Sequence, residues 1–528
     1  MKKYLWLKKA RVVISLIFLL LITFLFVDFA NTFTTGLING ILFFQFLPSL
    51  LKFVNLLSVI ATGFIIITVL NLLFGRVYCS FFCPLGTLQD IFHFFAGKFR
   101  KKKARRYKKP LNWVRFPILI ISFMMLLFFG NVLLINLLDP YSNFGRITSN
   151  LLRPLYYEMN NLLVLLLEKR EIYTFKPVEL KATGWLSLGY SVLVLGTVAW
   201  MSLKHGRLYC NTICPVGTLL GRFSEVSMFK IKLDRVACTS CGICSNNCKA
   251  NCIDAKNQEV DFSRCVGCLD CLYVCPSLGV NYENTWFGKN KAETILASDS
   301  KRRDFIKKSI FIPAGLTALS KRAFTQGLQT PTGTDKGMVP IVRENPVTPP
   351  GSLSHHHFNT YCIACKLCVS ACPTQVLQPS FLQYGLSGMM QPRMDFITSF
   401  CNFECTICTE VCPTGAIKPL EKETKKLTQV GISKFVKENC VVYTDETACG
   451  ACSEHCPTKA VNMVPYDKVP GLMIPEVTED ICIGCGACEF ACPTDPRSIY
   501  VEGNVEHVLA EKPKEEEIEK QELEEFPF

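Results

Sequence analysis

A chain of 528 residues that is 49% hydrophobic, with 39 Phe, and still carries a formal net charge of +13 has room for several domains. Grease and base together fit a membrane protein with basic cytoplasmic loops and argue against a nucleic-acid binder. The 29 cysteines, odd in number and mostly in Cys-x-x-Cys spacing ahead of proline, make a poor disulfide framework and a good metal-binding one.

The apolar mass lies before about residue 205. Stretches beginning near Val12, Phe53, Phe116 and Gly184 are long enough, or nearly so, to span ~30 Å of hydrocarbon. A stretch from Gly36 holds Gln45 and Pro48, and counting it as a span would put the basic run from Gly97 outside. It is therefore expected to be re-entrant or interfacial, as is the amphipathic stretch from Leu151. Four spans with both ends inside follow, over residues 1–228.

This region is duplicated. "GRVYCSFFCPLGTLQD" opens at Gly75 and "GRLYCNTICPVGTLLG" at Gly206, and in each half an acidic–aromatic turn, at Asp28 or Asp139, follows the first span. Cys79 and Cys83, like Cys210 and Cys214, are four residues apart, so each pair fits one helical face or tight turn closed by Pro84 or Pro215. Two thiols hold no cluster. The four are expected to converge on one further redox centre, most simply iron–sulfur, since soft thiolates favour that or zinc. Two separate redox pairs, or a docking turn, are the competing readings.

"CTSCGICSNNC" and "CVGCLDCLYVCP" come next, in residues 229–292. Three thiolates in C-x2-C-x2-C spacing wrap a cubane, and the fourth, usually before Pro, serves the neighbouring cluster. Cys238, Cys241, Cys244 and Cys275 make one [4Fe–4S] set, and Cys265, Cys268, Cys271 and Cys248 the second. Cys252 is an alternative to Cys248, which is followed by Lys249 in place of Pro. Zinc rarely uses this interlocked spacing.

Residues 293–330 contain Arg302 and Arg303 before a short apolar run. The next segment, 331–505, carries four more motifs: Cys362, Cys365, Cys368, Cys372; Cys401, Cys405, Cys408, Cys412; Cys440, Cys449, Cys452, Cys456; and Cys482, Cys485, Cys488, Cys492. Spacing does not say which motif lends its fourth thiol to which, so neighbour and nested pairing both stand. The total is about six [4Fe–4S] clusters, or ~24 iron per chain. The run His355–His357 reads as a solvated loop, and 506–528 as an acidic disordered tail.

The first two segments resemble the membrane ferredoxin-type subunit of the quinol dehydrogenase that serves periplasmic nitrate reductase, with its four spans, two Cys-x-x-x-Cys-Pro motifs and two cubanes. The segment 331–505 resembles that enzyme's periplasmic four-cluster ferredoxin-type partner and the methylamine-utilisation ferredoxins. The chain looks like the two fused. Residues around Arg302 and Arg303 resemble a twin-arginine export signal, left uncleaved as an anchor. The resemblance implies a multidomain α-helical membrane protein of the inner membrane, with α+β bacterial-ferredoxin-like domains, the first cytoplasmic and the last periplasmic. It implies menaquinol from the quinone pool as donor, a periplasmic reductase or cytochrome as acceptor, the twin-arginine translocase as partner, and nested pairing of the last four motifs. Quinol oxidation sheds two protons, and Asp28 and Asp139 are the expected acceptors; the competing reading is a helix-end residue facing water. A cytoplasmic ferredoxin–quinone link and a membrane redox maturation or regulatory factor are the alternative functions.

Overall fold

The computed structural model describes residues 5–28, 32–56, 62–99, 107–179, 181, 184–286 and 343–512. The twin-arginine segment and the end of the acidic tail lie outside them.

The first helix, α1 (Leu5–Val27), is a 23-residue apolar run with no acidic residue in its first turn. It is followed by α2 (Thr35–Phe43) and α3 (Phe46–Leu56), which meet at 109°. Gln45 sits at that bend, buried, and its Nε2 donates to the Phe82 carbonyl (3.2 Å), which answers the polar group the apolar stretch carries. The span expected from Phe53 is divided: Phe53 ends up in α3, and α4 (Gly63–Phe74) is a 12-residue apolar helix. The five-residue α5 (Val77–Phe81) and the 16-residue α6 (Pro84–Phe99) complete the first half.

The second half opens with α7 (Asn112–Phe129), then α8 (Leu133–Leu138) and α9 (Pro140–Ile147), which runs through a π turn at Thr148–Leu152 into α10 (Arg153–Glu168). It closes with α11 (Trp185–His205), α12 (Leu208–Thr212) and α13 (Pro215–Glu225), an order that repeats α4, α5 and α6. Among the described residues three helices, α1, α7 and α11, are long and apolar enough to cross a membrane, and the bent pair α2–α3 makes four if it counts as one span.

A first module follows, with β1 (Phe229–Leu233), α14 (Ile243–Asn247), β2 (Ile253–Asp254), β3 (Glu259–Val260), α15 (Asp270–Val274) and β4 (Val280–Asn284). β1 pairs antiparallel with β4, and β2 with β3. The C-terminal module is built the same way from two-stranded antiparallel ribbons. In it β5 (Leu377–Pro379) pairs with β6 (Pro392–Met394), β7 (Thr428–Phe435) with β10 (Ile499–Leu509), and β8 (Val461–Pro465) with β9 (Met473–Val477). β10 continues to Leu509, beyond the boundary expected at 505, because its last residues pair with Thr428 and Gln429. Nor is the histidine run a loop: His355–Tyr361 is a helix capped by Ser354, and His357 bonds Ser352 O and Asn55 Oδ1.

The two modules sit at opposite ends of the helical body. Lys8, near the start of α1, pairs with Asp270 of the first module (3.0 Å), whereas Phe26, at its other end, belongs to a buried cluster that continues to Cys365. Along α11, Ser187 accepts from Lys366 of the C-terminal module, and the His205 carbonyl accepts from Asn251 of the first (2.9 Å). One apolar core thus joins the body to the C-terminal module, while the first module keeps its own.

Candidate functional site

Cysteine sets line separate apolar cavities. Cys238, Cys241, Cys244 and Cys275 enclose one of about 290 Å³. Cys265, Cys268 and Cys271 share another of about 320 Å³ with both Cys248 and Cys252, whose sulfurs are 3.5 Å apart. In the C-terminal module Cys362, Cys365, Cys368 and Cys412 line a cavity of about 320 Å³, and Cys372, Cys401, Cys405 and Cys408 one of about 350 Å³. Cys440 faces Cys449 and Cys492, and Cys485 and Cys488 face Cys482 and Cys456. The pairing is therefore between neighbours: first motif with second, third with fourth. This overturns nested pairing. The reason is local: a short helix that contains the third cysteine, such as Leu367–Ala371 around Cys368, carries the fourth thiol out of its own cavity and into the adjoining one.

Among the described residues no three His, Cys, Asp or Glu close on a single ion. Four thiols gathered on one cavity with apolar walls fit a cubane, which needs soft thiolate ligands at several corners. The sets also stand in a row. The Cys362 set lies against the helical body, the Cys372 set is beside it, and the Cys401 N–H donates to the Cys485 carbonyl (2.9 Å) of the third. The Cys440 set follows through Cys456 and Cys492.

The duplicated segments meet inside the body. Cys79, Cys83, Cys210 and Cys214 are each 2–3% exposed. Each pair lies at the junction of two helices, α5 with α6 or α12 with α13, where Pro84 or Pro215 starts the second helix. Arg76 Nη2 reaches across to the Cys210 carbonyl (3.1 Å), and Arg207 Nη1 reaches back to the Cys79 carbonyl. A Cβ at Gly86 would run into the Cys79 carbonyl, and one at Gly217 into that of Cys210, so both positions admit only glycine. The first module docks on this place through Ser80 to Val266 O, Arg76 to Ser263 O (3.3 Å) and the Arg207 N–H to Lys249 O (2.9 Å). Asp90 of α6 binds Arg207 (2.8 Å), Arg11 (3.1 Å) and Lys249 (3.2 Å) beside it. Burial opposes its charge, but these three cations hold the Asp90 carboxyl well below the usual carboxylate range.

α9 separates this place from the C-terminal module. Tyr209 Oη donates to Leu138 O (2.8 Å) and accepts from Asn143 Nδ2 (3.1 Å). Arg146, one turn on, donates from Nε to Ala364 O (3.1 Å) beside Cys365. Asp139 caps α9, accepting from Ser142 N (2.7 Å) and Ser142 Oγ (2.9 Å), and its Oδ1 is buried with no hydrogen-bond partner among the described residues. Burial holds its carboxyl up at about 6, against the Ser142 bonds and Arg146. Asp28 makes a similar turn with Thr32 N (2.7 Å) but is half-buried. The two aspartates are thus alike in local geometry and unlike in environment.

Sequence reasoning passed over Arg76, Arg207 and Gln89, although the arginine follows the glycine in both copies of the repeat. It had no signal for Asn143, Arg146 and Lys366, whose roles depend on partners more than 60 residues away.

Comparison with known proteins agrees with these sets. The 4Fe-4S binding domain family matches twice, at residues 56–102 and 188–233, and 4Fe-4S dicluster domains match at 361–417 and 447–495. YccM of Escherichia coli strain K12 is 28% identical over 208 residues, 39% of this chain and 51% of that one. The methylamine utilization ferredoxin-type protein MauM of Methylophilus methylotrophus is 37% identical over 156 residues, 27% of this chain and 65% of that one. The ferredoxin-type protein NapG of Escherichia coli K12 is 28% identical over 212 residues, 38% of this chain and 84% of that one. The chain therefore spans about half of YccM and just under two thirds of MauM. No solved structure matches. The chain is an iron–sulfur protein similar to ferredoxin-type electron-transport proteins.

Proposed function

We propose that this protein is a membrane electron conduit that takes electrons from menaquinol and delivers them, through its C-terminal module, to a periplasmic reductase or cytochrome. The observation that carries this reading is the row of cysteine sets leading outward from the helical body, beginning with Cys362, Cys365, Cys368 and Cys412 against α9. Bound [4Fe–4S] clusters supply one-electron carriers at such sets. The chain's own part is to space the sets, exclude water with apolar walls, and hold a proton acceptor, Asp139, beside the first of them. Menaquinol and the periplasmic acceptor rest on the family resemblance, as does export of the C-terminal module through Arg302 and Arg303.

The test uses the whole chain in proteoliposomes. A menaquinol analogue is expected to bleach the iron–sulfur absorbance of the C-terminal module about as completely as dithionite does. A chain that dithionite reduces and quinol does not would remove quinol as donor. A second reading, a donor that enters at the first module, is favoured by that module's docking at the opposite end of the body, on Arg76, Ser80 and Arg207. Reduction by a soluble low-potential ferredoxin, faster than by quinol, would select it.

A further inference from the structure

Each copy of the repeat matches a 4Fe-4S binding family, yet each match contains only one pair of thiols, Cys79 with Cys83 or Cys210 with Cys214. The structure brings both pairs into one buried place. There each sulfur accepts one N–H: Cys79 from Arg76 Nη2 (3.6 Å), Cys83 from Gly86 N (3.4 Å), Cys210 from Gln89 Nε2 (3.1 Å) and Cys214 from Gly217 N (3.2 Å). Four neutral thiols have no need of four converging donors, whereas thiolates do. The charge points the same way. Arg207 is paired with Asp90, but Arg76, fully buried, has no carboxylate partner among the described residues, and its Nε is unbonded. Its remaining hydrogen bonds go to Asn211 Oδ1 (2.6 Å) and main-chain carbonyls. A buried cation left in that state is strongly destabilising unless an anionic group stands beside it.

We infer that Cys79, Cys83, Cys210 and Cys214 together hold one iron–sulfur cluster, separate from the six ferredoxin-type sites, with Arg76 balancing its negative charge. A single zinc ion is the other occupant that four thiolates admit, and metal analysis separates the two. The site lies between the two modules. Ser80 and Arg76 face the first module, and Tyr209 reaches Asn143 of α9, whose far side meets Cys365 at Gly145. α1, which runs from one module to the other, has 23 residues, ~34 Å at ~1.5 Å per residue. That is more than one electron step between protein cofactors covers, so a centre at this place divides the distance. The location gives the cluster a role in the conduit proposed above, but binding itself does not depend on quinol.

The experiment is metal analysis and low-temperature EPR and Mössbauer spectroscopy of the whole chain, purified anaerobically. The expected iron is ~26 to ~28 per chain, two to four above the ~24 of six cubanes. Cys79→Ser and Cys210→Ser should each remove the same signal and that excess iron, with the double variant losing nothing further. Arg76→Gln should keep the iron and lower the midpoint potential of that signal alone. Unchanged iron and spectra in the double variant overturn the inference, as does stoichiometric zinc that the substitutions remove. If the serine variants fail to assemble, the parent decides: a count at ~24 with no signal beyond six cubanes overturns it. Quinol reduction is a separate measurement, so its failure leaves this result readable.

Discussion

Asp139 carries two jobs that one substitution separates. Its Oδ2 caps α9, and Asn caps a helix about as well as Asp, so Asp139→Asn should fold like the parent. Its charge is what the variant loses. With the carboxyl held up at about 6, the basic form grows as pH rises through 6. Menaquinol-driven reduction in the parent is expected to climb between about pH 5 and 7 and level off. In Asp139→Asn the climb should vanish and the rate fall by about 10²-fold, with dithionite reduction untouched. Equal pH profiles would reduce Asp139 to a cap. Asp90 makes the opposite case. Removing it strands Arg207 and Arg11 and leaves Lys249 only Asp270, so Asp90→Ala should cost about 3–5 kcal/mol, seen as earlier unfolding of the first module in denaturant. Because its folded pKa is depressed, its contribution is full above the ordinary carboxylate range and is lost only as pH falls below it. The parent's docking should therefore be flat from pH 8 to 5. That the cysteines gather in sets was legible in the sequence because spacing along a short loop fixes them. Arg76 was hidden because its meaning lies in the partner half, across 134 residues to Cys210.

At the scale of elements, α9 matters most. The sequence around it, "NLLDPYSNFGR", reads as an acidic–aromatic turn, yet all eight residues of α9 are buried. Local patterning misleads here because the polar side chains answer one another and the neighbouring main chain: Asn143 to Leu137 O (2.8 Å), Arg146 to Asn136 O (2.9 Å) and Ile363 O (3.3 Å). The helix packs so tightly on the C-terminal module that a Cβ at Gly145 would strike the Cys365 carbonyl and the Phe26 ring. Gly145→Val should therefore cost about 1–3 kcal/mol and loosen the module from the body. Limited proteolysis is expected to cut the variant faster between the two, while its iron content stays at the parent's level. The pairing of cluster motifs was illegible for a related reason. A fourth thiol is assigned by where a five-residue helix points, and spacing is silent about direction.

For the whole molecule, the duplication and the presence of several 4Fe-4S domains were readable from the chain, but the route between modules was not. Composition alone separates an apolar half from a cysteine-rich half; only the fold puts one module at each end of α1 and α11. If the body spans the membrane, the modules face different compartments. Accessible-residue labelling of intact spheroplasts is then expected to modify the C-terminal module and spare the first. Changing Arg302 and Arg303 to Lys should reverse the first result, leaving the C-terminal module inside, loaded but undocked. Labelling of both modules from one side in the parent would place them together and remove the transmembrane route.

The crossed arginines set a timetable for synthesis. Arg76 braces a carbonyl of the second half and Arg207 one of the first, so neither half finishes its cysteine pocket alone. On a translating ribosome Cys79 and Cys83 emerge on the order of ten seconds before Cys210 and Cys214. Through that interval the early thiols have no partners and stand open to oxidation or to the wrong metal. A chain split in the loop between α6 and α7 should then recover its cofactor when both pieces are made together, and neither piece should acquire it when made by itself.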